Sequence, residues 1–135
     1  MDFKENLEYW ATKNIPAVVN KEWGCEIHIV NDEKANYCGK ILEINPGKGF
    51  SMHFHDIKVE TFWVLEGQGK LFLIDAATGK TNEELLFKDK VVNIPRLKPH
   101  QIINDSTEVL KIVEFSTFHR DEDSFRVWRN KPHAS

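Results

Sequence analysis

The residues best suited to chemistry are two histidines and a glutamate that lie close together, and a third histidine further along the chain. His53 and His55 stand one residue apart in FSMHFH, Glu60 follows after four residues, and His100 lies in PRLKPHQIIN. FSMHFH alternates between polar and apolar residues, so in a β-strand both imidazoles point to the same side. TFWVLEG reads as a returning strand, and a hairpin of the two strands would place Glu60 beside the histidines.

These four side chains offer the donor atoms of a divalent metal site. Three imidazole nitrogens and one carboxylate suit zinc, manganese, iron, nickel or cobalt, and donor type alone does not choose among these metals. Such a set leaves one or two positions for water or substrate, which is typical of a catalytic rather than a closed structural site.

The elements that must position these groups are β-strands. From residue 17 onward, short apolar or alternating segments such as NYCGKILEIN and KLFLID are separated by turn residues such as PGKG and AATGKT. Roughly nine or ten strands result, without alternation of strands and helices, and their spacing is that of a sandwich or barrel. The pattern therefore predicts an all-β protein with a closed or double-sheet architecture.

Length and periodicity predict a single domain preceded by a short helix. A chain of 135 residues is long enough for one core and short for two domains. Phe3, Leu7 and Trp10 recur at helical spacing, and the pattern ends at Pro16. We expect a helical segment over 1–16, the β domain over 17–128 and a flexible tail over 129–135.

Composition excludes several classes of partner. The net charge is −3 and no segment carries a basic stripe, which argues against nucleic acid. No apolar run is long enough to cross a bilayer and no secretory signal is recognisable, so we expect a cytoplasmic protein with Cys25 and Cys38 as reduced thiols. Apolar strand segments such as FWVL and LFLI exceed what one small interior can hold, which predicts a homodimer.

The spacing of these residues resembles the conserved motifs of the cupin superfamily. The first motif is matched at every defined position by Gly47, His53, His55, Glu60 and Gly67. The second is matched in part, because Pro95, His100 and Asn104 stand at the expected intervals whereas Asp89 and Leu97 replace its two glycines. The resemblance implies a jelly-roll β-barrel that holds one divalent metal ion through His53, His55, Glu60 and His100.

Further residues are similar to the small, cupin-type mannose-6-phosphate isomerases. KEWG at 21–24, followed by Glu26, is similar to a segment that precedes the first barrel strands of that group, and Asp123 and Arg126 match its acidic, arginine-containing ending. Lys58 stands where the group usually has arginine, and His53 where it commonly has glutamine. The resemblance implies a sugar or sugar-phosphate isomerase, of aldose–ketose or epimerase type, whose substrate differs from mannose 6-phosphate.

An enediol mechanism is the hypothesis that follows from this resemblance. A divalent ion would polarise the substrate carbonyl and stabilise the enediolate, and a general base must reach the carbon-bound proton. Lys58, Glu43 and His119 are the candidates for proton transfer. Arg126, with Arg96 and Lys98, could hold a phosphate or sugar hydroxyls, although charged side chains of this kind are usually solvated.

Two other functions fit the same ligands. Histidines and a carboxylate with open positions are also what an iron-dependent dioxygenase requires. A non-catalytic, metal-containing carbohydrate-binding module is the third reading. Deuterium uptake into the sugar would identify the isomerase and oxygen uptake the dioxygenase. Binding without turnover would identify the binding module.

Overall fold

A computed structural model describes residues 15–129 of the chain, and these form an all-β structure. The predicted helix over 1–16 lies outside the described residues except for positions 15 and 16, which are not helical, and residues 130–135 of the predicted tail also lie outside them. The strands are β1 Ala17–Lys21, β2 Gly24–Asp32, β3 Tyr37–Ile44, β4 Met52–Phe54, β5 Glu60–Glu66, β6 Gly69–Ile74, β7 Thr81–Leu86, β8 Val91–Ile94, β9 His100–Ile103, β10 Leu110–Ser116 and β11 Phe125–Trp128. A short 3-10 helix, Asp121–Asp123, precedes β11.

The strands form two antiparallel sheets that pack face to face. One sheet has six strands in the order β1-β2-β3-β10-β5-β8, and the other has five in the order β11-β4-β9-β6-β7. Among the described residues no ladder joins an edge of one sheet to an edge of the other. The expected barrel is therefore open: its two sheets are held together by side-chain packing rather than by a closed ring of hydrogen bonds.

Alternation along the strands decides which side chains form the core. In β5, Phe62 and Val64 are buried while Thr61 and Trp63 on the other face are partly exposed. The same period-2 pattern directs Leu42 and Ile44 of β3 inward. The core between the sheets consists of Leu42, Ile44, Phe62, Val64, Leu71, Leu86, Val92, Ile94, Ile102, Leu110 and Ile112.

Two turns keep a left-handed backbone although the glycines of the second motif are missing. Asp89 has φ of 72° and Leu97 has φ of 64°. Side chains other than glycine, Asn and Asp rarely adopt this region, because Cβ crowds the carbonyl that follows. The Leu97 amide donates to the carbonyl of His55 at 2.7 Å, and this contact keeps the turn next to the candidate site.

Candidate metal centre

The four candidate ligands come from both sheets and meet between them. His53 of β4 stands directly opposite His100 of β9, and His55 follows β4 by one residue. Glu60 begins β5, which belongs to the other sheet. The prediction of a β4–β5 hairpin is therefore wrong in its pairing, because Glu60 reaches the histidines across the interior rather than along one sheet.

Each histidine is oriented by a backbone carbonyl. The Nδ1 atoms of His53, His55 and His100 lie 2.8, 2.7 and 2.9 Å from the carbonyl oxygens of Ser51, Asp123 and Lys98, respectively. A carbonyl only accepts, so each Nδ1 carries a proton, and Nε2 is the nitrogen left to coordinate an ion. Carbonyl partners of this kind commonly fix the tautomer of metal-binding histidines.

The facing donor atoms have the spacing of ligands around one ion. One donor atom from each histidine lies within 4.8 Å of the others. Glu60 Oε1 is 2.8 Å from His100 Nε2 and 3.2 Å from His55 Nε2. Yet Glu60 Oε1 and His100 Nε2 are buried without a hydrogen bond of acceptable geometry. Buried polar atoms are rarely left without a partner. Donor atoms that each lie about 2.1 Å from one ion stand about 3 Å apart, so the spacing of these residues fits a metal.

The charge states of these groups also suit metal binding. Burial and the neighbouring His100 lower the pKa of His53 to about 3, so its imidazole is neutral at pH 7. Burial alone would raise the pKa of Glu60, but His100, His55 and the Lys58 charge hold it well below its usual range. Neutral imidazoles and an ionised carboxylate are the forms that coordinate divalent ions.

A cavity of about 210 Å³, which we call the metal cavity, opens onto His53, His55 and Glu60. Trp23, Leu42, Phe50 and Phe62 supply apolar lining, and Lys40, Lys58, Glu26 and Glu114 supply charge. At roughly 10–15 Å³ for each water-sized group, the volume admits a small molecule rather than a polymer. A concave pocket that combines apolar walls with convergent polar groups is the usual form of a small-molecule site.

The sequence of residues 40–116 matches the family described as the cupin domain, which is more than half of the chain. The chain belongs to the cupin family. No curated protein matches the sequence. The part of the chain that the structure describes contains no helix that could span a membrane.

Solved structures share this cupin fold at low sequence identity. The capsular polysaccharide assembling protein CapF from Staphylococcus aureus is 18% identical with a TM-score of 0.75, over 84% of this chain and 34% of that one. An oxalate decarboxylase from Lactobacillus farciminis is 20% identical with a TM-score of 0.69, over 83% of this chain and 33% of that one. This cupin therefore spans about a third of the length of those proteins, and at such identity the likeness concerns the fold alone.

Beside the ligands, the cupin interior holds a chain of buried charges. Lys58 Nζ lies 3.4 Å from Glu60 Oε2 and 2.8 Å from Glu114 Oε2. Lys40 Nζ lies 3.9 Å from Glu114 Oε2 and 3.2 Å from Glu26 Oε1. Lys40, Lys58 and Glu114 are exposed by only 4%, 2% and 3%. Burial of so many charges is costly unless each is paired, so this arrangement points to function more than to stability.

Lys58 is held as an ammonium ion. Burial would lower its pKa, but the carboxylates of Glu114 and Glu60 outweigh burial and raise it. Its Nζ donates to His119 Nδ1 at 3.1 Å, and His119 Nε2 donates to Asp121 Oδ1 at 3.0 Å. Burial and the Lys58 charge lower the pKa of His119 to about 4, so His119 is neutral at pH 7.

The other predicted site residues lie in different places. Lys58 and His119 line the metal cavity, whereas Glu43 lies between inward-facing Leu42 and Ile44, on the outer face of β3. Arg126 lies in a neighbouring cavity that shares part of its wall with the first. Arg96 donates from Nε to the carbonyl of Ile57 at 2.6 Å, and neither it nor Lys98 lines these two cavities.

Sequence reasoning missed Lys40 and Glu114. Both occupy inward positions in alternating strands, Lys40 between Cys38 and Leu42 and Glu114 after Ile112, and they stand opposite each other in the β3–β10 pairing. A charged residue at an expected core position was the available signal.

Proposed function

We propose that this cupin is a metal-dependent sugar or sugar-phosphate isomerase that interconverts its substrate through an enediol. One observation carries the proposal: the buried Lys58–Glu114 pair lies inside the metal cavity, 3.4 Å from the candidate ligand Glu60. Isomerisation needs a base and an acid beside polarised oxygens. In this pair Glu114 supplies a carboxylate and Lys58 an ammonium group, in a site shielded from water.

His53, His55, Glu60 and His100 would hold the metal in this proposal. A divalent ion bound there would act as a Lewis acid toward the substrate oxygens. The carbonyl partners of the three imidazoles keep their lone pairs directed at that position.

Glu114 is the residue we assign as proton acceptor. Its Oε2 is occupied by Lys58, and the described residues make no hydrogen bond to its Oε1, which leaves that oxygen for substrate. Glu114 would remove the proton from the hydroxyl-bearing carbon beside the carbonyl and return it to the former carbonyl carbon, while the hydroxyl proton passes to the former carbonyl oxygen. Lys58, as an ammonium, would stabilise the negative charge that develops on the substrate oxygen.

His119 and Asp121 connect this pair to solvent. The Asp121 side chain is 97% exposed, while that of His119 is 20% exposed and contacts Lys58. His119 therefore positions the buried Lys58 from the more exposed side of the cavity, and we assign it this role rather than that of the base.

The test is isotope exchange in heavy water. Metal-depleted protein is loaded in turn with zinc, manganese, iron, nickel or cobalt and incubated with aldoses and aldose phosphates. We expect deuterium at the carbon beside the carbonyl, and about a 100-fold or greater loss of exchange in Glu114→Gln. The exposed Glu66→Gln is the matched control and retains exchange.

Other outcomes overturn the proposal in favour of a different function. Substrate-dependent oxygen consumption without deuterium uptake identifies a dioxygenase. Saturable sugar binding with neither reaction identifies a carbohydrate-binding module.

A homodimer through the outer face of the six-stranded sheet is part of the proposal. The strand register places apolar residues opposite one another across all six strands: Val18, Ile27, Ile41, Val113, Trp63 and Val91. Val18 and Val91 are 62% and 55% exposed, and Phe115 beside the row is 53% exposed. A continuous apolar band of this kind is self-complementary about a twofold axis, so a second copy is the occupant we expect.

A further inference from the structure

A second cavity, of about 550 Å³, lies beside the metal cavity and is dominated by positive charge. Lys21, Lys48, Arg126 and Arg129 line it, and Glu22 is its only acidic lining residue among those described. We call this cavity the basic groove. Its charge contrasts with that of the whole chain, which carries a net −3. A local excess of this kind raises the concentration of anions at the groove.

The cations of the basic groove are little neutralised by the part of the chain that the structure describes. Within residues 15–129, Lys48, Arg126 and Arg129 form no ion pair, and Lys21 contacts only Glu26, at 3.9 Å. Surface Lys70, by contrast, lies between Glu83 at 3.3 Å and Asp105 at 3.4 Å. The groove therefore presents donors that an external anion can use.

The basic groove adjoins the metal cavity through a shared wall. Lys21, Trp23, Phe50 and Ser51 line both cavities. The Phe50 ring lies 5.3 Å from that of His53, centroid to centroid, and 6.0 Å from that of Trp23. One molecule of modest length can thus reach both cavities across an aromatic surface.

Two contacts fix the shape of this junction. Arg126 stands opposite His53 in the β4–β11 pairing, so both side chains leave the sheet on the same face. Gln101, exposed by only 1%, donates from Nε2 to the carbonyls of Phe50 and Arg129 at 3.0 and 3.2 Å. The backbone that carries the groove is therefore held in place before any ligand binds.

We propose that the basic groove binds the phosphate group of a molecule whose other end occupies the metal cavity. Two arginines offer planar pairs of N–H donors that match phosphate oxygens, and two lysines add charge suited to a dianion. The sugar part of the substrate rests on the proposed isomerase function, whereas phosphate binding by the groove does not. The proposal narrows the substrate class to phosphate esters.

The first experiment measures phosphate binding without metal. Chelator-treated protein is titrated with inorganic phosphate at low ionic strength, and Trp fluorescence and calorimetry report binding. We expect saturable binding that weakens at least about tenfold in the double variant Arg126→Gln/Arg129→Gln, which loses charge-assisted hydrogen bonds. Lys34→Gln/Lys80→Gln, which removes two exposed charges outside both cavities, is the matched control and binds as the parent does.

The melting temperature of the double variant shows whether it folds. Lys48→Gln changes an exposed loop residue, and we expect it to weaken phosphate binding less than the double variant does. Absence of saturable phosphate binding, or equal weakening in the Lys34/Lys80 control, overturns the proposal.

The second experiment separates the groove from the isomerase proposal. With metal-loaded protein, the Arg126/Arg129 double variant should raise KM for an aldose phosphate about tenfold or more, and KM for the neutral aldose much less. Phosphate binding without any isotope exchange would leave the groove standing and refute the isomerase. An unchanged KM for the aldose phosphate when both arginines are replaced would refute the groove and leave the isomerase.

Discussion

His55 and Asp123 are joined by a hydrogen bond of 2.7 Å although 68 residues separate them in the chain. The backbone carbonyl of Asp123 accepts from His55 Nδ1, while its carboxylate accepts from the amides of Asp56, Ile57 and Lys58 at 2.8 to 3.1 Å. One residue next to β11 therefore holds both a candidate ligand and the loop that follows it.

Replacing Asp123 should weaken metal binding without removing a ligand. In Asp123→Ala the amides of residues 56–58 lose their common acceptor, so the orientation of His55 relaxes. We expect metal affinity to fall about 10- to 100-fold, as for other outer-shell partners of metal ligands. Competition with a chromophoric chelator measures it. The neighbouring, exposed Glu122→Gln is the control, and an unchanged affinity in Asp123→Ala would contradict this account.

Glu26 should make stability depend on pH. Burial would raise its pKa, but Lys40 and a 2.8 Å contact with His28 lower it below its ordinary value. A carboxyl with a lowered folded-state pKa stabilises the fold above its unfolded pKa, and that contribution is lost as the pH falls through the folded value.

The variant Glu26→Gln should therefore be less stable than the parent at pH 7, by about 1–3 kcal/mol, since Lys40 is buried and loses its nearer partner. The difference should persist down to about pH 4 and shrink below it. Urea unfolding at several pH values measures the difference in the free energy of unfolding between the two proteins. A difference that grows as the pH falls would contradict the lowered pKa of Glu26.

Leu97→Gly should stabilise the protein. Leu97 has φ of 64° and is 58% exposed, so glycine relieves backbone crowding while little apolar burial is lost. Relief of about 1–2 kcal/mol, reduced by the greater unfolded-state entropy of glycine, leaves a gain of about 0.5–1 kcal/mol. Leu97→Ala keeps the crowded backbone and is the matched control. Thermal unfolding decides, and an equal or larger gain in the alanine variant would refute the backbone explanation.

A charge in the apolar row should dissociate the proposed dimer. Val113 stands between Ile41 and Trp63 at the middle of the row, so Val113→Glu would bury two like charges close to the twofold axis. Light scattering at micromolar concentration should show a dimer for the parent and a monomer for the variant. Lys80→Glu, an exposed charge change before β7 in the other sheet, is the control, and a monomeric parent would contradict the prediction.

Local patterns in the sequence predicted most of the strands but not their arrangement. Alternation in FSMHFH and TFWVLEG located β4 and β5, because burial on one face leaves a period of two. β1 was not predicted as a separate strand, since all five of its residues are exposed and show no alternation. Local patterns do not encode long-range strand pairing. They therefore could not predict whether the sheets close, or that β4 and β5 lie in different sheets.

The candidate site was predicted only in part, because some of its contacts also depend on long-range pairing. The spacing of His53, His55, Glu60 and His100 in the sequence is enough to indicate a ligand set. Glu114 could not be linked to Lys58 from sequence, because their contact depends on the register between β10 and its neighbours. Glu43 entered the prediction as a possible base only because its face of β3 was unknown.

Metal content measured by mass spectrometry on protein purified without a metal-affinity tag tests the central claim most directly. We predict one divalent ion per chain, lost in His100→Ala and retained in His28→Ala, since His28 contacts Glu26 rather than the other imidazoles. A parent protein that binds no divalent ion after incubation with each candidate metal, or a His100→Ala variant that binds as well as the parent, would contradict it.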